Sequence, residues 1–318
     1  MKSLSDIRTR YQAGKMPKQA YIDEMHEMHQ MLFKYSAFLR EGDVENINIT
    51  DHEVIFTSRS RGIRLVVDPL DQHLVPYTLL NFNTYDEAEL ALLLEIVSPD
   101  SVIFDIGANC GWYSLVMARA FQQASIHAFE PIPSTCRTLA RNLELNDIRN
   151  ITIHPLGISD SCGTQDFLYT PTCSGATSLR LAGQPGEVSR ISAATETLDA
   201  FCDREKHIPG FIKCDVEGAE LMVLRGGTSI LSAHSPILFL ELLRKWSAKF
   251  DYHPNDVIDF LSSFGYRCYT AYEKSLAPCD RVTEDTKETN FLFLHPDKHG
   301  KILEQFASLH SNSATDLP

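Results

Sequence analysis

From residue 101 to residue 295 the chain alternates short apolar runs with stretches whose apolar positions recur every three or four residues. Continuous apolar runs of strand length predict buried strands, and the three-to-four spacing predicts amphipathic helices. "SVIFDIG" is a strand followed by helix "GWYSLVMARAF", and "SIHAFEP" is a strand followed by helix "IPSTCRTLARNLELN". "NITIHPLGISD" reads as a third strand. "GFIKCDVEG" with helix "AELMVLRGGTSIL", then "PILFLELL" with helix "HPNDVIDFLSSFGY", continue the series. Such alternation predicts an α/β fold with a mostly parallel sheet covered by helices on both faces. "RCYTAYEK" and "TNFLFLHP" have no helix between them, which predicts an antiparallel hairpin at the sheet edge.

Upstream the period changes. Residues 1–43 read as helical, with Tyr21, Met25, Met28, Leu32, Tyr35 and Leu39 on one apolar stripe that stops at Gly42. A long amphipathic helix needs a surface to lie on. The main domain, a substrate lid or a second subunit would serve, so this helix invites a homodimer. "EVIFTS" and "IRLVVDP", joined by "RSRG", predict a β-hairpin. "TYDEAELALLLEIVSP" predicts a helix ending before Pro99. Residues 161–200, rich in Gly, Ser, Thr and Pro, read as a long loop, and loops of that length are usually functional or disordered. The tail "SLHSNSATDLP" reads as frayed. The expected organisation is an extension over 1–80, a main domain over 81–300 and a tail over 301–318.

Composition then narrows the partners. With 29 Lys and Arg against 42 Asp and Glu, the net charge is −13. Such a surface repels polyphosphates and anionic lipids, so neither nucleic acid nor a membrane is expected as partner. The densest basic run, "RSRGIR", reads as a charged hairpin turn. No apolar run approaches the ~20 residues that span a bilayer, and the start lacks a secretory h-region, so the expected location is cytoplasmic. Eight scattered cysteines without a C-x-x-C pair read as reduced, small core residues.

The stretch "VIFDIGANCGWYSL" puts Asp105, Gly107, Asn109, Gly111 and Tyr113 at the carboxyl end of the first strand. In doubly wound sheets ligands bind beyond such ends, and glycines let backbone approach them closely. A dinucleotide fingerprint needs G-x-G-x-x-G to receive a pyrophosphate, whereas here Asn109 interrupts it and a carboxylate precedes it. A carboxylate there repels pyrophosphate and attracts an ammonium group. S-adenosylmethionine carries such a group and no phosphate, so Asp105 is expected to meet its amino-acid end. Glu130, followed by Pro131, lies 23 residues after Gly107 and suits ribose hydroxyls. Leu156, Gly157 and Ile158 offer an apolar slot for adenine.

These stretches, together with "YDEAEL", "LGISD", "ETLDAF", "IKCDVEGAELMVLRGG" and "FLELL", resemble the FkbM-type S-adenosylmethionine-dependent methyltransferases over roughly residues 80–245. The resemblance implies a class I methyltransferase, Rossmann-like sheet. It also implies O-methylation of a small-molecule, sugar or natural-product hydroxyl. The first 80 residues match nothing in the family and are a place for substrate choice. Tyr85 and Glu89 match the family's aromatic-acidic segment and would cover the methionyl end of the cofactor.

Methyl transfer to an alcohol needs alignment and a group that takes the proton. Asp215 and Glu217, at the end of the fourth strand, and Glu241, at the end of the fifth, are the candidate catalytic carboxylates. Glu220, in the first turn of a helix, reads as a dipole partner. Lys213, in an otherwise apolar strand, needs a partner. Glu241 or Glu217 would provide it, and Lys213 is the alternative base. The three carboxylates could also hold a divalent cation, but no spacing demands one, and metal-free catalysis is the leading reading. Tyr113 and the hydroxyls of Ser174, Thr177 and Ser178 are further candidates. His26 and His29 mimic a zinc motif, but its second histidine position is Gln30. His154 reads as a core histidine. Two other functions stay open: an NAD-dependent oxidoreductase, and a non-catalytic scaffold on a methyltransferase-like fold.

Overall fold

The structure is a computed structural model and describes residues 3–180, 188–272 and 275–307. Residues 181–187 of the expected loop, Glu273 and Lys274 of "RCYTAYEK", and the tail from residue 308 lie outside the described residues.

The chain opens with α1 (Leu4–Gln12) and α2 (Lys18–Phe38), then β1 (Val44–Ile49), β2 (Val54–Ser58), β3 (Arg64–Val67), α3 (Val75–Phe82) and α4 (Glu87–Ile96). The central series is β4 (Val102–Ile106), α5 (Trp112–Ala120), β5 (Ser125–Phe129), α6 (Pro133–Leu145), β6 (Ile151–His154), β7 (Gly157–Ser159), β8 (Gly163–Tyr169) and β9 (Ser189–Thr197). It continues with α7 (Leu198–Glu205), β10 (Phe211–Cys214), α8 (Glu220–Arg225), α9 (Thr228–His234), β11 (Ile237–Glu241), α10 (Arg244–Ser247) and α11 (Pro254–Ser262). The last elements are β12 (Arg267–Tyr272), β13 (Ser275–Pro278), β14 (Asn290–Leu294) and α12 (Pro296–Ala307).

The main sheet has eight strands in the order β13-β12-β14-β11-β10-β4-β5-β6. Its β11-β10-β4-β5-β6 part is parallel, and β14 enters antiparallel between β11 and β12. This is the α/β, Rossmann-like sheet with an antiparallel edge that the pattern predicts. Each β4 face serves a different core. Phe104 and Ile106 pack with α7, α8 and α11 residues such as Phe201, Leu221 and Leu261, while Ile103 packs with Leu115 and Val116 of α5.

Several expectations need correction. The amino-terminal helix is two helices, broken around Gly14 and Pro17, and α2 stops at Phe38. No α2 side chain is buried, and residues 31–38 are exposed on every face. α1 covers only its first half, through the Tyr11–Tyr21 stack and the Arg10–Glu24 ion pair. The third strand ends at His154. After Pro155 the chain leaves the sheet, and β7 pairs instead with β9 in a second sheet of order β7-β9-β8. Much of the expected loop is therefore strand; its Ser, Thr and Ala residues hide the alternation that marks strands. The helix after β10 is two helices, separated at Gly226 and Gly227.

The first 80 residues are not separately packed. Phe56, Ile63 and Leu65 share one apolar core with Leu115 and Ile126. Asn142 of α6 and Asn146 just after it accept the Val66 and Arg64 N–H groups at 2.9 Å, which holds β3 against the main domain. The "RSRGIR" run is structural as expected: Arg59 donates to the Leu39 and Gly42 carbonyls, and Arg61 pairs with Glu87. Among the described residues no helix is long and apolar enough to cross a membrane.

Candidate functional site

A cavity of about 390 Å³ opens at the carboxyl ends of β4, β5, β10 and β11. Its volume lies in the range of small-molecule sites. Gly107, Asn109, Glu130, Pro131, Gly157 and Ile158 line it from beyond β4, β5 and β6, Asp215, Glu217 and Glu241 from the ends of β10 and β11, and Tyr85, Tyr113 and Lys213 add to the lining.

The loop after β4 is built for close approach. Gly107 has φ +77°, and a Cβ there would sit 1.9 Å from the Asp215 carbonyl oxygen, so only glycine lets the two strand-end loops cross. The Gly107 and Ala108 N–H groups both donate to the Phe129 carbonyl at 3.0 Å. Asn109 also has positive φ, and its N–H donates to Glu130 Oε2 at 3.1 Å. Glu130 Oε1 accepts from the Ile132 N–H at 3.0 Å. Burial pushes the Glu130 carboxyl up to about 7, against the pull of those two N–H donors. Three polar atoms of cavity-lining residues are buried without a hydrogen-bond partner: Asn109 Oδ1, an acceptor, Trp112 Nε1, a donor, and the carboxyl oxygen Glu217 Oε2.

Asp105 is turned the other way. It is 2% exposed and does not line the cavity. Its Oδ2 accepts from Ser114 Oγ at 2.6 Å and the Ser114 N–H at 3.2 Å, and so caps the first turn of α5. Its Oδ1 lies 3.4 Å from Lys213 Nζ. Side chains alternate across a strand, so Asp105 shares the α5 face with Ile103 instead of projecting past the strand end. The expected meeting of Asp105 with a ligand ammonium is therefore overturned.

Lys213 is the register neighbour of Asp105. Its Nζ donates to the Gly107 carbonyl at 3.0 Å and lies 3.4 Å from Asp215 Oδ2. Burial works against its charge, but the Asp215 and Asp105 carboxylates outweigh it and hold the ammonium above its ordinary range. The expected partners, Glu217 and Glu241, are thus replaced by the two aspartates. A lysine held so firmly as a cation positions the loop and is not a base.

Asp215, Glu217 and Glu241 come together, each offering an oxygen within 4.8 Å of the others. Glu217 has φ +55°, an uncommon state for this residue type, and its Oε2 is buried without a hydrogen-bond partner. Burial and the neighbouring Asp215 raise both Glu217 and Glu241 well above the usual carboxylate range. Glu220 is structural, as expected. It is 1% exposed, and its Oε1 accepts from the Val216 and Gly218 N–H groups at 3.0 and 3.1 Å.

Two further expected residues stand outside the cavity. Gly111 serves packing, since a Cβ there would lie 2.2 Å from Leu139 Cδ1. Glu89 is half-buried on α4 and does not line the cavity. Tyr85 does line it, and the acid beside it is Asp86. That residue accepts the Tyr113 hydroxyl at 2.8 Å, and burial pushes it up to about 6.

The loop that the sequence singles out forms a strap at the cavity, with Ser174, Thr177 and Ser178 in its lining; what sequence reasoning missed are the ties that hold it. Ser174 N–H donates to Asp71 Oδ2 at 2.9 Å, Asn109 Nδ2 donates to Ser174 Oγ at 3.4 Å, and Ser178 Oγ donates to the Glu217 carbonyl at 2.9 Å. The loop hydroxyls thus fasten the strap. His73 from the extension and Lys245 and Trp246 from α10 complete the lining. Lys245 and Trp246 follow the end of β11 directly, so the strand-end rule would have found them; no local pattern marks Asp71 or His73. His154 is a core residue: it hydrogen bonds His127 at 2.9 Å and stacks on Phe129. His26 hydrogen bonds Gln30 on the exposed α2.

The model of the methyltransferase FkbM domain matches residues 105–268, about half of the chain. The chain is 35% identical over 153 residues to methyltransferase sdnD of Sordaria araneosa, covering 39% of this chain and 59% of that protein. It is 30% identical over 145 residues to methyltransferase 1 of Beauveria bassiana, covering 40% and 58%. It is 32% identical over 146 residues to hexuronic acid methyltransferase AglP of Haloferax volcanii, covering 45% and 57%. The chain thus spans under two thirds of the length of these relatives. The matched stretch contains Gly107, Glu130, Ile158, Asp215, Glu217 and Glu241, and the chain belongs to the FkbM methyltransferase family.

Proposed function

We propose that this chain transfers the methyl group of S-adenosylmethionine to a hydroxyl of a small molecule, a sugar or natural product. The observation that carries the reading is one cavity lined both by the strand-end residues Gly107, Glu130 and Ile158 and by three clustered carboxyls. The fit to this cofactor rests on the residues present. Glu130 suits ribose hydroxyls, and Ile158 with Gly157 suits an adenine ring. The unpartnered Trp112 Nε1 and Asn109 Oδ1 suit the carboxylate and ammonium of an amino acid. A pyrophosphate would instead meet Asp215, and Asn109 still breaks the glycine pattern that receives one, which weighs against NAD now that Asp105 no longer does.

The bound cofactor supplies an electrophilic methyl on a sulfonium. The chain supplies alignment and takes the acceptor's proton. Gly107 lets its loop pass close to the Asp215 backbone, and Lys213 fixes that loop through the Gly107 carbonyl. Burial and the Asp215 carboxylate favour the protonated forms of Glu217 and Glu241, so the trio is biased against carrying three charges. Asp215 is the member beside Lys213 and shares a hydrogen bond with Glu241. We assign it the proton. The name of AglP, a hexuronic acid methyltransferase, is in keeping with a sugar acceptor.

The spacing of the three carboxyl oxygens favours one second reading, a divalent cation held by the trio that activates the hydroxyl. Assays with an isotope-labelled methyl donor across a panel of sugar and polyketide alcohols test the main proposal, and EDTA separates the two readings. Transfer that survives chelation supports Asp215 as base; transfer lost to EDTA and restored by Mg²⁺ supports the metal. Transfer to amines or carbon and to no hydroxyl would overturn O-methylation.

A further inference from the structure

The sheet-edge hairpin carries two cysteines that methyl transfer does not use. β12 and β13 pair antiparallel with Tyr269 opposite Pro278, which sets Cys268 opposite Cys279. The Cys279 N–H donates to the Cys268 carbonyl at 3.0 Å, and the two thiols hydrogen bond to each other. Residues opposed in this way have Cα atoms about 5.5 Å apart, within the span of roughly 4.4–6.8 Å that a disulfide bridges. Cys268 is buried and Cys279 is half-exposed. The hydrogen bond from Cys268 lowers Cys279 to about 7. A reachable thiolate beside a buried resolving thiol is the arrangement of redox-responsive cysteine pairs.

We propose that Cys268 and Cys279 are a reversible disulfide-forming site. The Cys279 thiolate attacks one sulfur of a small disulfide such as oxidised glutathione, breaking its S–S bond and expelling one thiolate. Cys268 gives its proton to solvent, attacks the Cys279 sulfur and expels the second thiolate. Two protein thiols are oxidised to one disulfide, and one small disulfide is reduced to two thiols. The bond would tie down the start of the segment leading to Val282 and Thr283. Asn255 Nδ2 donates to the Val282 carbonyl at 3.0 Å, and Arg244 donates to the Thr283 carbonyl at 2.7 Å. Arg244 directly precedes Lys245 and Trp246 of the cavity wall.

The test treats the full chain carrying Cys162→Ser, which removes the exposed thiol, with oxidised glutathione. Peptide mass spectrometry and thermal unfolding are the readouts. The expected result is a linked Cys268–Cys279 peptide pair, two fewer free thiols and an unfolding temperature raised by several degrees, all reversed by dithiothreitol. Adding Cys279→Ser should remove every one of these changes. Adding Cys268→Ala should leave Cys279 as a stable mixed disulfide with glutathione. Cys268 and Cys279 both still free after treatment, or glutathione on Cys279 without closure in the Cys162→Ser protein, would overturn the proposal.

Discussion

The wall to which we assign the cofactor takes Gly107 and Glu130 from directly after β4 and β5, and Ile158 from β7, shortly after β6. The opposite wall takes Tyr85 from before β4, Ser178 from the strap, Glu217 from after β10 and Trp246 from α10. The first wall is backbone geometry repeated: a strand ends, and the next turn presents a residue. The second is a set of long-range ties, such as Asp71 to Ser174 and Lys213 to Gly107. The first should therefore fail by distortion of the backbone, and the second by release of one tie at a time.

Gly107→Ala is the severest break of the first wall. Its new methyl would collide with the Asp215 carbonyl in a positive-φ backbone. Stability should fall by on the order of 3 kcal/mol in urea melts, and cofactor binding should vanish in calorimetry. A melt within 0.5 kcal/mol of wild type, the usual scatter of neutral changes, would show that the loops do not cross so tightly.

Lys213→Met is comparably severe, since it strikes the tie from Lys213 to the Gly107 carbonyl that joins the two walls. It would leave the Asp105 carboxylate buried without its cation, at a cost of roughly 3–5 kcal/mol. The double variant with Asp105→Asn should recover much of that loss. Strict additivity of the two changes would argue that the pair is not coupled.

Asp215→Asn with Glu217→Gln should cut turnover about 10²–10⁴-fold, the usual contribution of a positioned proton acceptor, while cofactor affinity stays within about threefold. Unchanged turnover would remove the carboxyls from the chemistry.

The pattern of the chain shows the first wall and hides most of the second for a physical reason. Strand alternation and strand-end glycines are local, so "DIGANCG", "HAFEP" and "LGISD" could be placed in order. The same alternation, applied to Ile103 and Asp105, would have turned Asp105 toward α5. Reading it only as a residue at a strand end lost that. Asp86 was hidden behind Glu89, because a helical count begins inside α4 and Asp86 is the left-handed residue before it. The tie that fastens the strap was illegible because Asp71 and Ser174 lie 103 residues apart, and no spacing rule joins them.

Smaller effects sharpen the contrast. Asp71→Ala frees the strap by removing the acceptor of the Ser174 N–H. It should raise the acceptor KM roughly tenfold, the worth of one hydrogen bond of about 1.4 kcal/mol, with kcat nearly unchanged. An equal fall in kcat would mean that the strap shapes the chemistry itself. Acid should weaken the fold beside the first wall. Burial holds His127 neutral, with its titration lowered to about 4 from an ordinary 6.5. A histidine lowered in the folded state contributes stability that is present above pH 6.5 and fades as pH falls toward 4. His127→Gln should flatten that part of the stability profile, and an unaltered slope would assign the acid loss to other groups.

Calorimetric titration with S-adenosylhomocysteine and, separately, NADH tests the central claim most directly, which is that the first wall receives a phosphate-free nucleoside. The account predicts saturable binding of S-adenosylhomocysteine, retained by Asp215→Asn and lost in Gly107→Ala, with no heat from NADH. Tight NADH binding beside a silent S-adenosylhomocysteine titration would contradict it.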